Sequence, residues 1–439
     1  MTVIAYFYKN LEKIRSVKRS ALFLFAFFIS ISNSISAIII ILFLISFIFS
    51  KKKHQKIQHT IKNPVNKSIL IFFTFVLLSY LWSENDFTFK SISKYAIILI
   101  APLLDLLNFK KKEKKTASIF FIIGVIFNIG YSFITSILYK LKVLDHMFFL
   151  KIDHYQNENF LRGFIDHSSL SILISFSVFI LMSKLFFKSQ NKKISLTVVI
   201  SILILFLLNS YGRTGFFTLI ILAPIFLLIK NLKNKKSIIF FSLLFLLVSI
   251  NFSSPFKNRI KTTFNFQKDT KTKYEKIEDD AQYMTDSLGE NVNYWKEKIN
   301  NDVIWKNKII EKTQHTSMGN RYKIWKEYKF QILESPILGK GIGGVAKIVH
   351  QKKIKPPHNN YFLILFEFGL IGLILFINIF YNQIKEYFLE ERKSILKLIF
   401  PLFFLLCMII NDYIIIYNTA CFFSLFSFLL YSQESSKLD

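Results

Sequence analysis

The sequence predicts an all-α protein: a polytopic membrane helical bundle of about twelve spans with one large, mostly helical extracytoplasmic loop. Three observations carry that prediction. Hydrophobic residues fill 52% of 439 positions, 51 of them Phe, and the mean hydropathy is +0.39. The apolar residues come in long runs, close to the ~20 residues that a helix needs to cross ~30 Å of hydrocarbon. Lys+Arg outnumber Asp+Glu by 57 to 28, and the excess sits in short turns between those runs. That placement is the signature of cytoplasmic loops, and it points away from a nucleic-acid-binding face. A soluble enzyme, a disulfide scaffold and a disordered chain are excluded. Cys407 and Cys421 lie inside apolar runs and have no metal-like spacing.

The elements follow in order. A basic N-terminus with Lys9, Lys13, Arg15, Lys18 and Arg19 precedes an apolar run over 21–50, too long for one upright span. Ser32-Asn33-Ser34 breaks it, and Lys51-Lys52-Lys53 follows, so basic flanks on both sides predict a hairpin of two helices. No signal-peptide cleavage pattern is present, and this segment reads as retained structure. Spans are then expected over 68–82, 87–107, 118–138, 167–187, 194–209, 216–229, 237–252, 360–380, 396–410 and 413–430. The lysine clusters at 110–115, 188–193 and 230–236 mark cytoplasmic turns. Both termini are expected in the cytoplasm. The domain reading is an N-terminal membrane bundle over 1–252 with about nine spans, an extracytoplasmic loop over 253–359, and C-terminal spans over 360–439. The loop is basic too, but long translocated segments largely escape the charge rule.

The polar residues suited to chemistry collect on the outer side. Arg213 stands in the turn Ser210-Tyr211-Gly212-Arg213-Thr214-Gly215. It reads either as an interfacial arginine that snorkels or as a ligand contact, with glycines that let a ligand approach the backbone. Arg321, Ile324, Trp325 and Tyr328 share one face of an amphipathic helix. There Arg321 is either a solvated charge or a phosphate clamp, since its planar fork matches phosphate oxygens. Gly339-Lys340-Gly341-Ile342-Gly343-Gly344 matches G-x-G-x-x-G formally, but no strand precedes it, so a turn or a close backbone approach is expected. His358, in Pro356-Pro357-His358-Asn359-Asn360-Tyr361, stands at the mouth of a span. It reads as a cap or packing residue, or as a base that takes a hydroxyl proton near neutral pH. His167, after Asp166, is a second boundary histidine. No His/Cys/Asp/Glu cluster has metal-ligand spacing, and no nucleotide loop or nucleophile elbow is present, so neither metal nor cofactor is expected.

In this order, a Gly-Arg-Thr-Gly turn, a long external loop, Arg321 with Trp325, the Pro336/Gly339/Gly341 run and His358-Asn359 before Gly369-Leu370-Ile371-Gly372 resemble the O-antigen ligase and polymerase superfamily. Leu81-Trp82-Ser83 and Asp166-His167 add to the likeness, which runs over roughly 79–413. The lysine-rich stretch 257–316 falls outside it. The resemblance implies a GT-C-type, metal-independent, inverting glycosyltransferase of the bacterial inner membrane, with its active site on the periplasmic face. Its donor would be an undecaprenyl-diphosphate-linked glycan and its acceptor a sugar hydroxyl of lipid A-core, with membrane lipid around it and no nucleic acid partner. By motif, Arg213 and Arg321 match the family's diphosphate-contacting arginines and His358 its loop histidine. Asp412 resembles the acidic residue near the last spans, and Asn359 and His167 would support the site. An O-antigen polymerase, which joins two lipid-linked repeats, shares most of these signals. A transporter of lipid-linked glycan would instead line the midplane with charge.

Overall fold

The computed structural model describes residues 3–50, 52–83, 88–140, 164–185, 190–210, 212–229, 317–352, 355–391 and 394–433. Every regular element among them is helical. The chain divides into two compact units. One comprises Met1–Phe252 with Tyr328–Asp439, and the other is Ser253–Glu327.

The first unit opens with α1 (Val3–Phe28) and α2 (Asn33–Ile48), which pack against each other. The break falls where Ser32 caps α2, its Oγ accepting from the Ile35 N–H at 3.3 Å, as the hairpin reading expected. α3 (Lys53–Lys62) leads into α4 (Pro64–Leu78), whose last turn tightens to a 3₁₀ turn over Ser79–Trp82. Asn63 caps α4, and Pro64 fills the first helical position, where its missing N–H costs nothing. The expected span over 87–107 is a chain of short pieces: α5 (Thr88–Ala96), a 3₁₀ turn over Ile97–Leu99 and α6 (Ile100–Leu106). Then come α7 (Lys111–Lys140), α8 (His167–Leu185), α9 (Gln190–Asn209) and α10 (Arg213–Ile229). α11 (Ser317–Glu334) crosses the boundary between the units. α12 (Gly344–Lys352), α13 (Asn360–Leu389), α14 (Ile395–Ile410) and α15 (Tyr417–Tyr431) complete the set.

α8 is the inner helix. Every residue from Ser169 to Leu181 is buried, against α7, α9, α10, α14 and α15. Its Phe176 anchors a phenylalanine cluster with Phe400, Phe403, Phe422 and Phe426 at ring separations of 5.0–5.5 Å, within the range of favourable edge-to-face pairs. α9 lies outside. Its Ile194, Val198, Ile202 and Leu205 form a helical stripe, each more than half exposed, as a lipid-facing surface requires.

Four described helices are long and apolar enough to cross a membrane: those over 64–82, 111–135, 167–185 and 360–389. The bent pair α2/α3 would make a fifth. α10, α14 and α15 are apolar but shorter, as is the apolar part of α9, and the expected span over 237–252 lies outside the described residues. The figure of about twelve is therefore not confirmed. Run length in the sequence overstates helix length over 87–107, where a 3₁₀ turn cuts the apolar run.

The most consequential interruption is inside α13. At Gly369 the backbone turns to φ 60°, ψ −163°, and the loop 336–341 enters the gap. Lys340 N–H donates to Phe366 O (2.9 Å) and Gly341 N–H to Glu367 O (2.8 Å). Leu370 N–H donates to Pro336 O (2.8 Å) and Ile371 N–H to Ile337 O (3.2 Å). The loop thus supplies the donors and acceptors that the broken helix has lost, as buried backbone demands. A Cβ on Gly369 would collide with the Ile337 carbonyl, and one on Gly339 with the backbone of Glu367 to Gly369. The nucleotide-like glycine pattern is thereby a close backbone approach, as expected. We call this arrangement the clasp. Glu367, 4% exposed, closes it. Its carboxylate accepts from the Tyr95 hydroxyl (2.6 Å), from Val345 N–H (3.3 Å) and from the backbone of Gly343. Trp82 Nε1 donates to Leu338 O (3.3 Å) and Ser83 Oγ to Ile342 O (2.6 Å), so the Leu81-Trp82-Ser83 segment ties down the same loop.

Candidate functional site

The starts of α8, α10 and α13 meet at the turn between α14 and α15, residues 411–416. Small residues allow the approach. A Cβ on Gly212 would strike the Ser171 side chain and the His167 carbonyl, and one on Gly215 the backbone of Ser171. Gly215 N–H donates to Ser171 Oγ at 3.3 Å. The two glycines beside Arg213 therefore serve contact between α8 and α10, not the ligand approach that the sequence suggested for them.

Arg213 is the first residue of α10 and is half-buried. Its neighbour Thr214 accepts a 2.9 Å hydrogen bond from the buried Tyr413 hydroxyl, which fixes the start of α10 to the turn. On α8, Asp166 caps the helix, its Oδ2 accepting from Ser169 N–H at 3.0 Å, and pairs with His167 Nδ1 through Oδ1 at 3.3 Å. The Asp166 carboxylate lies within electrostatic reach of Tyr413, so His167 belongs to this neighbourhood.

α13 begins with three consecutive polar residues that all reach α14 or the turn after it. His358 is half-buried and held at φ 48°. This left-handed conformation is uncommon for a residue with a side chain, although histidine tolerates it better than most. Its Nδ1 lies 3.1 Å from Asn411 Oδ1. Asn359, 5% exposed, caps α13 by accepting from Tyr361 N–H (2.9 Å) and Phe362 N–H (3.2 Å), and it donates through Nδ2 to Ile409 O (3.0 Å). Asn360 Oδ1 accepts from Ile414 N–H at 3.3 Å. Asp412 is buried next to Asn411. Burial, with the carboxylates of Asp412 and Glu367 nearby, pushes the Tyr328 phenol well above its ordinary range. Tyr328 thus remains a neutral donor, and its hydroxyl donates to Lys355 O at 3.4 Å.

The structure brings His358, Asn359 and Asp412 together and places Arg213 and His167 at the same turn. Arg321 belongs to the other unit, half-buried on the first half of α11. Its helix is present as the spacing predicted, and Tyr328 further along it is buried. Two participants were missed by the sequence reading. The sequence assigns Asn411 no role. Tyr413 was taken for the first residue of a span, whereas its hydroxyl ties the turn to α10. Among the described residues, no group of three or more His, Cys, Asp or Glu could hold a metal ion.

Chemically, a half-exposed imidazole and an arginine stand at one turn with the carboxylates of Asp166 and Asp412. The starts of α10 and α13 each carry roughly +0.5 charge, whereas Asp166 already occupies that of α8.

Residues 196–377 match the sequence profile of a family described as O-antigen ligase. A candidate polysaccharide ligase of Rickettsia conorii is 33% identical over 112 residues, which cover 23% of this chain and 26% of that protein. The chain thus spans about a quarter of the curated relative it matches. The family segment contains Arg213, Arg321 and His358 in the order noted above. Over that segment, with its half-buried Arg213 and the imidazole held against Asn411, the chain is similar to the O-antigen ligase family.

Proposed function

We propose that the protein moves a glycan from undecaprenyl diphosphate to a sugar hydroxyl of lipid A-core, at the periplasmic face of the bacterial inner membrane. The observation that carries this reading is the meeting of Arg213, His358 and three helix N-termini at the turn 411–416. The reaction breaks the bond between an anomeric carbon and a diphosphate oxygen, and negative charge grows on the departing diphosphate. Arg213 and Arg321 are the groups proposed to hold it, and fixed positive partners in a partly dry site lower the barrier most at that moment. The acceptor hydroxyl is a weak nucleophile. His358 takes its proton as the new C–O bond forms, and a direct attack of this kind inverts the anomeric centre. Diphosphate is already a competent leaving group, so we propose that the arginines suffice without a metal.

The test uses purified full-length protein, the lipid-linked glycan isolated from the source cells, and lipid A-core as acceptor. Arg213→Ala and Arg321→Ala each remove a charge-assisted contact worth about 1.5–3 kcal/mol, and Lys at either position restores little, because an ammonium lacks the planar fork. Activity should survive excess chelator. Loss on chelation with recovery on adding Mg²⁺ would remove the arginine-only account. Transfer onto a second lipid-linked repeat instead of lipid A-core would identify a polymerase.

A further inference from the structure

We infer that Asn411 is the positioning residue for His358, selecting the ring tautomer that leaves Nε2 able to accept a proton. The inference rests on the proposed role of His358 as the base. Asn411 Oδ1 can only accept, so the ring nitrogen 3.1 Å away must carry the hydrogen. In a neutral imidazole that leaves the lone pair on Nε2.

The geometry is held from both sides. On the α13 side, the left-handed backbone of His358 is trapped between Pro357 and the capping residue Asn359, which is itself tied to Ile409 O at the end of α14. On the α14 side, Asn411 ends that helix, its backbone N–H donating to Cys407 O at 3.4 Å. Its side chain also sits beside the Tyr413 hydroxyl, which is bonded to Thr214 next to Arg213. One short line of contacts thus runs from the imidazole through Asn411 and Tyr413 to the start of α10.

The experiment compares Asn411→Leu, Asn411→Asp, His358→Ala and the double variant Asn411→Leu/His358→Ala, each as full-length, monodisperse protein. The donor is again the lipid-linked glycan from the source cells, and binding is followed separately with undecaprenyl diphosphate. A misdirected base costs on the order of 10²-fold in turnover. Asn411→Leu should therefore lower kcat about that much, with donor KM and undecaprenyl diphosphate binding unchanged. Asn411→Asp keeps an acceptor oxygen and should retain more turnover than Leu. In the His358→Ala background, Asn411→Leu should cost nothing further, since residues acting as a unit are not additive. If Asn411→Leu keeps full turnover while His358→Ala is inactive, the assignment of Asn411 fails and the base stands. Additive losses, or an Asp variant as poor as Leu, reduce Asn411 to a helix end and overturn the inference. Full turnover in His358→Ala overturns both readings.

Discussion

His358, itself left-handed, and Glu367, two residues before the left-handed Gly369, lie nine residues apart on one stretch of chain, yet their surroundings differ in kind. At the mouth, His358 and Arg213 are half-exposed while the residues that hold them, Asn359, Thr214 and Tyr413, are buried. At the clasp, Glu367 itself is buried and each of its carboxylate oxygens has a donor from another element. A polar group spent entirely on its own protein has nothing left for a ligand. A polar group bonded on one side and open on the other does. The comparison separates a structural charge from a chemical one without reference to motif.

That separation can be broken by experiment. The largest effect should come from Gly369→Val, which puts a branched side chain against the Ile337 carbonyl at a left-handed position. We expect no monodisperse protein from it, and a variant that purifies normally would contradict the clasp. Next is His358→Ala, expected to lower turnover about 10²–10⁴-fold while binding undecaprenyl diphosphate and melting as wild type does. A parallel fall in binding, turnover and melting midpoint would move His358 to the structural side. Glu367→Leu should do the reverse. It strands the Tyr95 hydroxyl and Val345 N–H, at about 1–3 kcal/mol for each buried group left unbonded. The melting midpoint in detergent should drop, while the protein that remains folded keeps its kcat. The smallest effect belongs to Asp166→Ala, a lost helix cap worth about 0.5–2 kcal/mol, seen as a modest fall in melting midpoint.

Much of the helix pattern was legible, because apolar run and lysine turn are properties of the local chain. The break at Ser32-Asn33-Ser34 and the helix beginning near Arg321 both stand where spacing placed them. The clasp was not legible. Nothing local in 360–389 tells that Gly369 leaves the helical region, since the break is stable only when Pro336 and Ile337 lend their carbonyls. The intramembrane glutamate was the available signal, for a charge in an apolar run demands a partner. At the site, the sequence located His358 and Arg213 but not what orients them. Asn411 and Tyr413 are ordinary at a helix end, and their meaning arises only from contacts with α13 and α10, some 50 and 200 residues away.

The clasp also changes what α13 is mechanically. Its lower part, 370–389, is about 30 Å long and buries Phe376, Phe380 and Gln383 in the bundle. Its upper part, 360–368, is bonded to the loop 336–341 and to α14. The protein therefore grips both halves of this helix, with Gly369 as an elbow between them. Because packing against neighbouring helices sets the tilt of a span, a thicker or thinner membrane leaves the arm that leads to His358 at its angle. We expect turnover in liposomes to stay level as acyl-chain length is varied, and a steep dependence would show that the elbow transmits the strain it is built to absorb.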